Sequence, residues 1–426
     1  MNREKVLLVI IEYKQRKKGV WPFDEVLEEM EELVKACGGE VIDHMVCRED
    51  KPSAKCLIGE GKVAEIAEIL TMKKVDTVIF SHDLKGSQQR NIEKVISCKT
   101  IDRTQLILDI FARHATTREG KTQVELAQLE YLLPRLVGKG IELSRLGGGI
   151  GTLGPGETKL EIDRRRISQR VTRLKKDLAE IAASRHLKRK KRIDKNVPAV
   201  SLVGYTNAGK STLLNVLADA GQITKNGLFT TLESLSRQII LPNNQRVVLS
   251  DTVGFMQELP HHLIESFKAT LEEVREADIL IHVLDISNPN FKHLHDAVFV
   301  VLKQLDIGDK PVLTVLNKID QFEDPGLLEA LKNDYEHAVC ISAKNGDNVD
   351  ELLVIIENML SHFIKEINVD VPINRMDLVN LAHKEGEVYS VKYYEDKVNI
   401  RAVVPAYLAG RFYLGNKPKE ELEDWE

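Results

Sequence analysis

The sequence predicts an α/β protein of several domains, on three observations. Its 426 residues exceed one ordinary domain, and roughly two to four are expected. Two separate stretches alternate short apolar runs with amphipathic ones, the pattern of parallel α/β units. Between them the periodicity turns helical, and a shorter strand-rich tail closes the chain. The boundaries read as 1–103, 104–195, 196–365 and 366–426.

In the first domain "KVLLVIIE" reads as a strand, Asp24 to Ala36 as an amphipathic helix and "EVIDHMV" as a second strand. Lys62 to Leu70 then reads as a helix and "DTVIFS" as a strand. "GEGK" (Gly59 to Lys62) lacks the spacing of a phosphate loop and reads as a structural turn. In the second domain Leu126, Leu129, Leu133 and Leu136 step by 3, 4 and 3, with Pro134 limiting that helix. Ile167, Val171, Leu174, Leu178 and Ile181 repeat the spacing on a helix from Glu157 to about Arg185, roughly 40 Å long. Two such seams suggest an antiparallel coiled coil. Six glycines within Gly147 to Gly156 then sit at its tip. Gly149, Gly151 and Gly154 match G-x-G-x-x-G, but no βαβ unit surrounds them, so a dinucleotide site is rejected.

"IDKNVP" reads as a linker ending at Pro198, and a second α/β pattern runs to about Lys365. In the tail, "VDVPI", "EVYSVKYY" and "KVNIRAVVP" read as strands, with a helix near Met376 to His383 and a turn at Glu395-Asp396. The final "EELEDWE" reads as frayed.

Composition narrows the class. No apolar run approaches the roughly 18–20 residues of a membrane span, and "VLLVII" is too short for a secretion signal. Five cysteines with no C-x-x-C pair argue against zinc or a disulfide framework and fit a reducing cytoplasm. The net charge of −5 hides a strong asymmetry: Lys159 to Lys195 carries 15 Lys/Arg against 5 Asp/Glu, peaking at "HLKRKKR". Such a run can be a solvated helix face. On an otherwise acidic chain it suggests a polyanion partner.

The chemistry lies in the third domain. Gly204, Tyr205, Thr206, Asn207, Ala208, Gly209, Lys210 and Ser211 satisfy G-x-x-x-x-G-K-S between a strand and a helix. Backbone N–H groups there surround phosphates, Lys210 reaches the β/γ oxygens, and the Ser211 hydroxyl ligates Mg²⁺. Asp251, Thr252, Val253 and Gly254 form D-x-x-G, in which the aspartate supports the Mg²⁺ shell and the glycine N–H meets a γ-phosphate. Asn317, Lys318, Ile319 and Asp320 follow another apolar strand. The Asp320 carboxylate can accept from both N1–H and the exocyclic amine of guanine, which adenine cannot satisfy. Ser342, Ala343 and Lys344 place a backbone N–H for guanine O6. Four loops in this order define a guanine-nucleotide site. Between the first two, Phe229, Thr230, Thr231, Leu232 and Glu233 form a switch segment, and both threonines qualify as the residue that binds Mg²⁺ when a γ-phosphate is present.

These motifs, with "LSRLGGGIGTLGPGETKLEIDRRRI" upstream, resemble the HflX family of translation-associated GTPases over essentially the whole chain. The resemblance implies a P-loop Ras-like GTPase domain. It is preceded by a small parallel α/β domain with a long helical hairpin and followed by a small α+β domain. It assigns the switch role, catalytic beside Lys210 and metal-binding beside Ser211, to Thr231. It also implies a cytoplasmic monomer that binds the 50S subunit and splits stalled or idle 70S ribosomes. The glycine loop would face the peptidyl transferase region, with Gly147, Gly148, Gly149, Gly151, Gly154, Gly156, Arg164, Arg165 and Arg166 on 23S RNA. Leu153 departs from the family pattern, which carries arginine there. The cofactor is Mg²⁺, and Asn207 stands where some related GTPases hold K⁺. Alternative readings are a ribosome-assembly GTPase on free large subunits, or a non-catalytic GTP-dependent RNA-binding protein. Phe255 follows D-x-x-G where many GTPases place a water-orienting glutamine, so hydrolysis is expected to be slow without a partner.

Overall fold

The computed structural model describes residues 3–13, 22–136, 159–194, 197–218, 235–256, 268–322 and 325–414. The glycine loop with Leu153, the segment Phe229 to Glu233 (Thr230 and Thr231 included), Gln257 and the final acidic residues lie outside these ranges. The chain divides into two compact units.

The first unit is built on a parallel sheet of order β2-β1-β3-β4. Its strands are β1 (Lys5–Tyr13), β2 (Glu40–Glu49), β3 (Thr77–Phe80) and β4 (Lys99–Asp102). The helices α1 (Phe23–Ala36), α2 (Glu60–Lys73) and α3 (Gly86–Ile96) connect them. The inner strand β1 is an uninterrupted apolar run, buried from Val6 to Ile11, as a strand covered on both faces must be. The "GEGK" segment is the start of α2, and the Gly59 N–H donates to Glu49 Oε1 at 2.8 Å. The segment is thus a helix start, where the sequence reads as a structural turn. The four-residue β4 is too short to show a period.

Helices α4 (Arg103–His114) and α5 (Arg118–Leu132) pack on each other and extend this core. The buried carboxylate of Asp102 accepts from Gln105 N–H at the start of α4, from Tyr131 Oη at 2.8 Å and from Arg135 at 2.9 Å. The apolar face of α5, with Val124, Leu126, Ala127 and Tyr131, is thereby spent on this unit. Helix α6 (Lys159–Asp194) meets α5 through Arg170–Glu125 and Lys175–Glu130 ion pairs. Those pairs advance in the same sense along both helices, which an antiparallel coiled coil does not allow. Along its expected seam only Leu174 is buried, at 2%; Ile167, Val171, Leu178 and Ile181 are half-buried. The 36 residues of α6 also run well past Arg185, through the basic cluster. Apolar periodicity stops at Ile181, but Lys, Arg and Leu are strong helix formers and carry the helix on without it.

The second unit holds a six-stranded sheet of order β10-β9-β8-β5-β7-β6, parallel except for β6. The strands are β5 (Ala199–Val203), β6 (Leu235–Ile240), β7 (Arg246–Asp251), β8 (Ile279–Asp285), β9 (Val312–Asn317) and β10 (Ala338–Ile341). The helices are α7 (Lys210–Leu217), α8 (Lys268–Arg275), α9 (Phe291–Gln304), α10 (Pro325–Asn333) and α11 (Val349–Met359). Leu202, Leu249, Ile281, Val283, Leu313 and Val315 are fully buried and fix the strand ends that carry the loops.

The same unit ends in an antiparallel sheet of β11 (Ile364–Pro372), β12 (Glu387–Tyr393) and β13 (Lys397–Pro405), order β11-β13-β12. Helices α12 (Met376–Glu385) and α13 (Ala406–Leu414) accompany it. The expected turn at Glu395-Asp396 joins β12 to β13. Among the described residues no helix is long and apolar enough to cross a membrane.

Candidate nucleotide site

In the six-stranded sheet β5 lies between β7 and β8, so the loops after β5, β7, β8, β9 and β10 share one carboxyl edge. The loop from Gly204 to Gly209 is shaped by two glycines. Gly204 has φ +151°, and a Cβ there would lie 2.3 Å from Val283 O. Gly209 has φ +97°, and a Cβ would lie 2.2 Å from Asn317 Nδ2. Helix α7 starts at Lys210, turning its first amides and the positive end of its dipole toward the loop. Lys210 is buried, and its Nζ donates to Gly204 O at 3.0 Å and Tyr205 O at 2.7 Å. Burial lowers its pKa to about 8, opposed by the charge of Asp251. An arriving polyphosphate would supply the anionic oxygens this ammonium lacks.

Ser211 Oγ donates to Asp251 Oδ2 at 2.6 Å, bringing together the two groups expected beside Mg²⁺. This hydroxyl and carboxylate are hard oxygen donors next to a phosphate cradle, so the residues present fit that ion. Thr252 is fully buried, with its hydroxyl on Leu202 O at 2.7 Å, and anchors the D-x-x-G turn rather than facing outward. A Cβ on Gly254 would meet Thr206 Cα at 2.9 Å and Lys210 Nζ at 3.1 Å, which shows how closely the two loops approach. Phe255 N–H donates to Gly204 O at 3.0 Å, and Thr206 N–H donates to Phe255 O at 3.0 Å. The phenyl ring is 1% exposed. Phe255 is therefore a core residue whose backbone clamps the phosphate loop.

Asn317 ties three loops together. Its Nδ2 donates to Ala208 O at 2.8 Å, and its Oδ1 accepts from Ala343 N–H at 2.9 Å. Asp320 is exposed, and its Oδ1 accepts from Ser342 Oγ at 2.7 Å. Lys318 pairs with Asp285 Oδ2 at 2.5 Å. Sequence reasoning missed Asp285, although the signal is present: it ends the apolar strand "ILIHVLD" opposite Asn317 in register. It also missed His282 on that strand, which is fully buried against His295 and Phe299. Burial pushes the His282 pKa down to about 3, so the imidazole stays neutral under the phosphate loop at ordinary pH. Asn207 and Lys344 are exposed at the cleft, Val253 is buried, and Ile319 opens a 3₁₀ turn. Arg164, Arg165 and Arg166 are exposed on α6.

The Asn317 tie makes a test of the cleft. Gly209→Ala would drive a methyl into its amide and strain a positive φ. Losing two buried hydrogen bonds costs about 2 kcal/mol or more, so affinity for a fluorescent GDP analogue is expected to fall roughly thirtyfold. Unchanged affinity in a folded variant would remove Asn317 from the assembly of the site.

Comparison with known proteins follows this geometry. Family models described as GTP-binding GTPase N-terminal, GTP-binding GTPase middle region and 50S ribosome-binding GTPase match residues 24–112, 114–192 and 199–318. A protein of Lacrimispora saccharolytica named GTPase HflX is 44% identical over 382 residues, 90% of each chain. The GTPase HflX of Escherichia coli is 41% identical over 370 residues, 87% of this chain and 86% of that one. Among solved structures, a crystal structure of SsGBP with GDP is 26% identical with a TM-score of 0.45, covering 84% of this chain and 99% of that chain.

Proposed function

The chain belongs to the HflX family of GTPases, and from that premise we propose that it hydrolyses GTP while bound to the large ribosomal subunit, splitting stalled or idle 70S ribosomes. The observation that carries the GTP reading is the convergence of Lys210, Ser211, Asp251 and Asn317 on one edge, with Asp320 open to a base. The description of the matched model, 50S ribosome-binding GTPase, supports the ribosomal half.

In this reading Lys210 leaves the carbonyls of Gly204 and Tyr205 and takes the β/γ-phosphate oxygens. The α7 amides hold the remaining charge. Ser211 and Thr231 would hold Mg²⁺, with Asp251 behind them, and the ion would neutralise charge on the phosphates. Asp320 selects guanine, and the Ala343 N–H, oriented by Asn317, meets O6. K⁺ held through Asn207 is part of the proposal, as are a monomeric state and a cytoplasmic site of action. The glycine loop (Gly147 to Gly156) meets 23S RNA near the peptidyl transferase region, and Arg164, Arg165 and Arg166 bind its phosphates. The juxtaposed Ser211 and Asp251 favour catalysis over a purely structural use of GTP.

Co-sedimentation with 70S, 50S and 30S particles, in a non-hydrolysable GTP analogue or GDP, tests the assignment, with light scattering to follow splitting. The GTP-like state is expected to pellet with 50S and dissociate 70S. Deleting Gly147 to Gly156 is expected to leave nucleotide affinity within twofold and abolish splitting. Splitting by the deleted protein would remove the loop from the mechanism. Binding to free 50S without splitting of 70S would favour a role in subunit assembly.

A further inference from the structure

The first unit contains a cavity of about 330 Å³ on the face of its sheet covered by α1 and α4. It opens at the amino-terminal ends of β1, β3 and β4, the opposite edge from that at which open α/β sheets ordinarily bind ligands. Its floor is apolar, formed by Val6, Val34, Ile79 and Leu106. At one end of the wall Glu4 accepts from Thr77 Oγ1 and pairs with Lys99, so these charges are satisfied.

The other end is different. Asp109 and Arg113 stand one turn apart on α4 and both line the cavity. Among the described residues no hydrogen bond or ion pair is made by either side chain; at longer range Asp109 feels Lys99, Arg113 and Glu4, and Arg113 acts on Glu4. Asp109 is half-buried, and burial raises its pKa. A half-buried carboxylate that accepts no hydrogen bond from the protein is free to accept one from a ligand that carries a donor.

The ligand must answer both charges. A simple anion would satisfy Arg113 and repel Asp109, and a simple cation would do the reverse. A zwitterion meets both, and the apolar floor asks for a hydrocarbon substituent between them. The volume, at about 30 Å³ per water, suits a molecule of roughly ten heavy atoms. It sits at the small end of known ligand pockets. We propose that this cavity binds a free α-amino acid with an apolar side chain, its ammonium on Asp109 and its carboxylate on Arg113. The site uses none of the residues of the nucleotide loops.

Isothermal titration of the full chain with L-leucine, L-methionine and L-phenylalanine tests it. At least one is expected to bind. 3-Methylbutylamine and 4-methylpentanoate, each lacking one charge of leucine, are expected to bind at least tenfold more weakly. Asp109→Asn and Arg113→Gln should each weaken the amino acid at least tenfold while leaving GTP affinity unchanged. The proposal is overturned by absence of binding for all three amino acids at millimolar concentration. Equal binding of the singly charged analogues overturns it too, and that arm needs no variant to fold.

Discussion

Replacing Asp320 by asparagine is expected to lower GTP affinity by a factor of about 10² to 10⁴ and to turn preference toward xanthine nucleotides. The carboxylate is exposed at the cleft and already held by Ser342 Oγ at 2.7 Å, so its orientation is set before a base arrives. Among the described residues its hydrogen bond is that with Ser342 Oγ, which leaves lone pairs for the N1–H and exocyclic amine of guanine in the proposed site. Hydrogen bonds to a charged group contribute about 1.5–3 kcal/mol each, and two are lost together. The asparagine amide can accept from N1–H but presents an N–H₂ to the exocyclic amine, donor against donor. Xanthine carries an oxygen there and restores the match. Competition between fluorescent GTP and XTP analogues reads this directly. GTP affinity unchanged in that variant would take Asp320 out of the base site. Ser342→Ala is the milder companion, since it frees the carboxylate without altering its charge.

The candidate nucleotide site was legible in the sequence because each part is contiguous and ends or follows a strand. Gly204 to Ser211, Asp251 to Gly254, Asn317 to Asp320 and Ser342 to Lys344 can each be read as a word. What joins the words was not legible. The Asn317 amide spans to Ala208 and Ala343, and Lys318 pairs with Asp285 across neighbouring strands; both depend on register. The fold shows the same division. Strong periods announced β1, α1 and the helices that follow the first sheet. The brief β4 and the helix α13 carry too little pattern. The apolar spacing of α5 was read as a coiled-coil seam, yet the structure spends that face on the first unit through Tyr131 and the buried Asp102. Periodicity reports that a face is buried, never against what. The amino-acid cavity is the extreme case, because its walls come from strand starts and helix ends far apart in sequence.

Turnover of GTP by the isolated protein is expected to be slow and to rise at least tenfold, about 1.4 kcal/mol of barrier, on adding 50S subunits. The position after D-x-x-G decides this. A glutamine there would orient the attacking water; the chain has Phe255, whose ring is fully buried and whose backbone is engaged with Gly204 and Thr206. The Phe255 ring is packed in the core, and a phenyl can neither donate to a water nor accept from it. In the proposed mechanism, orientation of the water falls to backbone groups near Thr231 acting together with a partner. Phe255→Ala does not test water access, because removing a buried ring costs about 3–5 kcal/mol of stability and loosens the clamp on the phosphate loop. Its expected signature is a lower melting temperature with weaker nucleotide binding. The cleaner variant is Gln257→Ala. If Gln257 swings in to orient the water, its loss would remove turnover of the free protein; here it is expected to change the rate less than twofold. Single-turnover hydrolysis with and without 50S separates the two mechanisms. Fast turnover by the free protein that disappears in Gln257→Ala would return the water to a side chain and leave the large subunit no catalytic part.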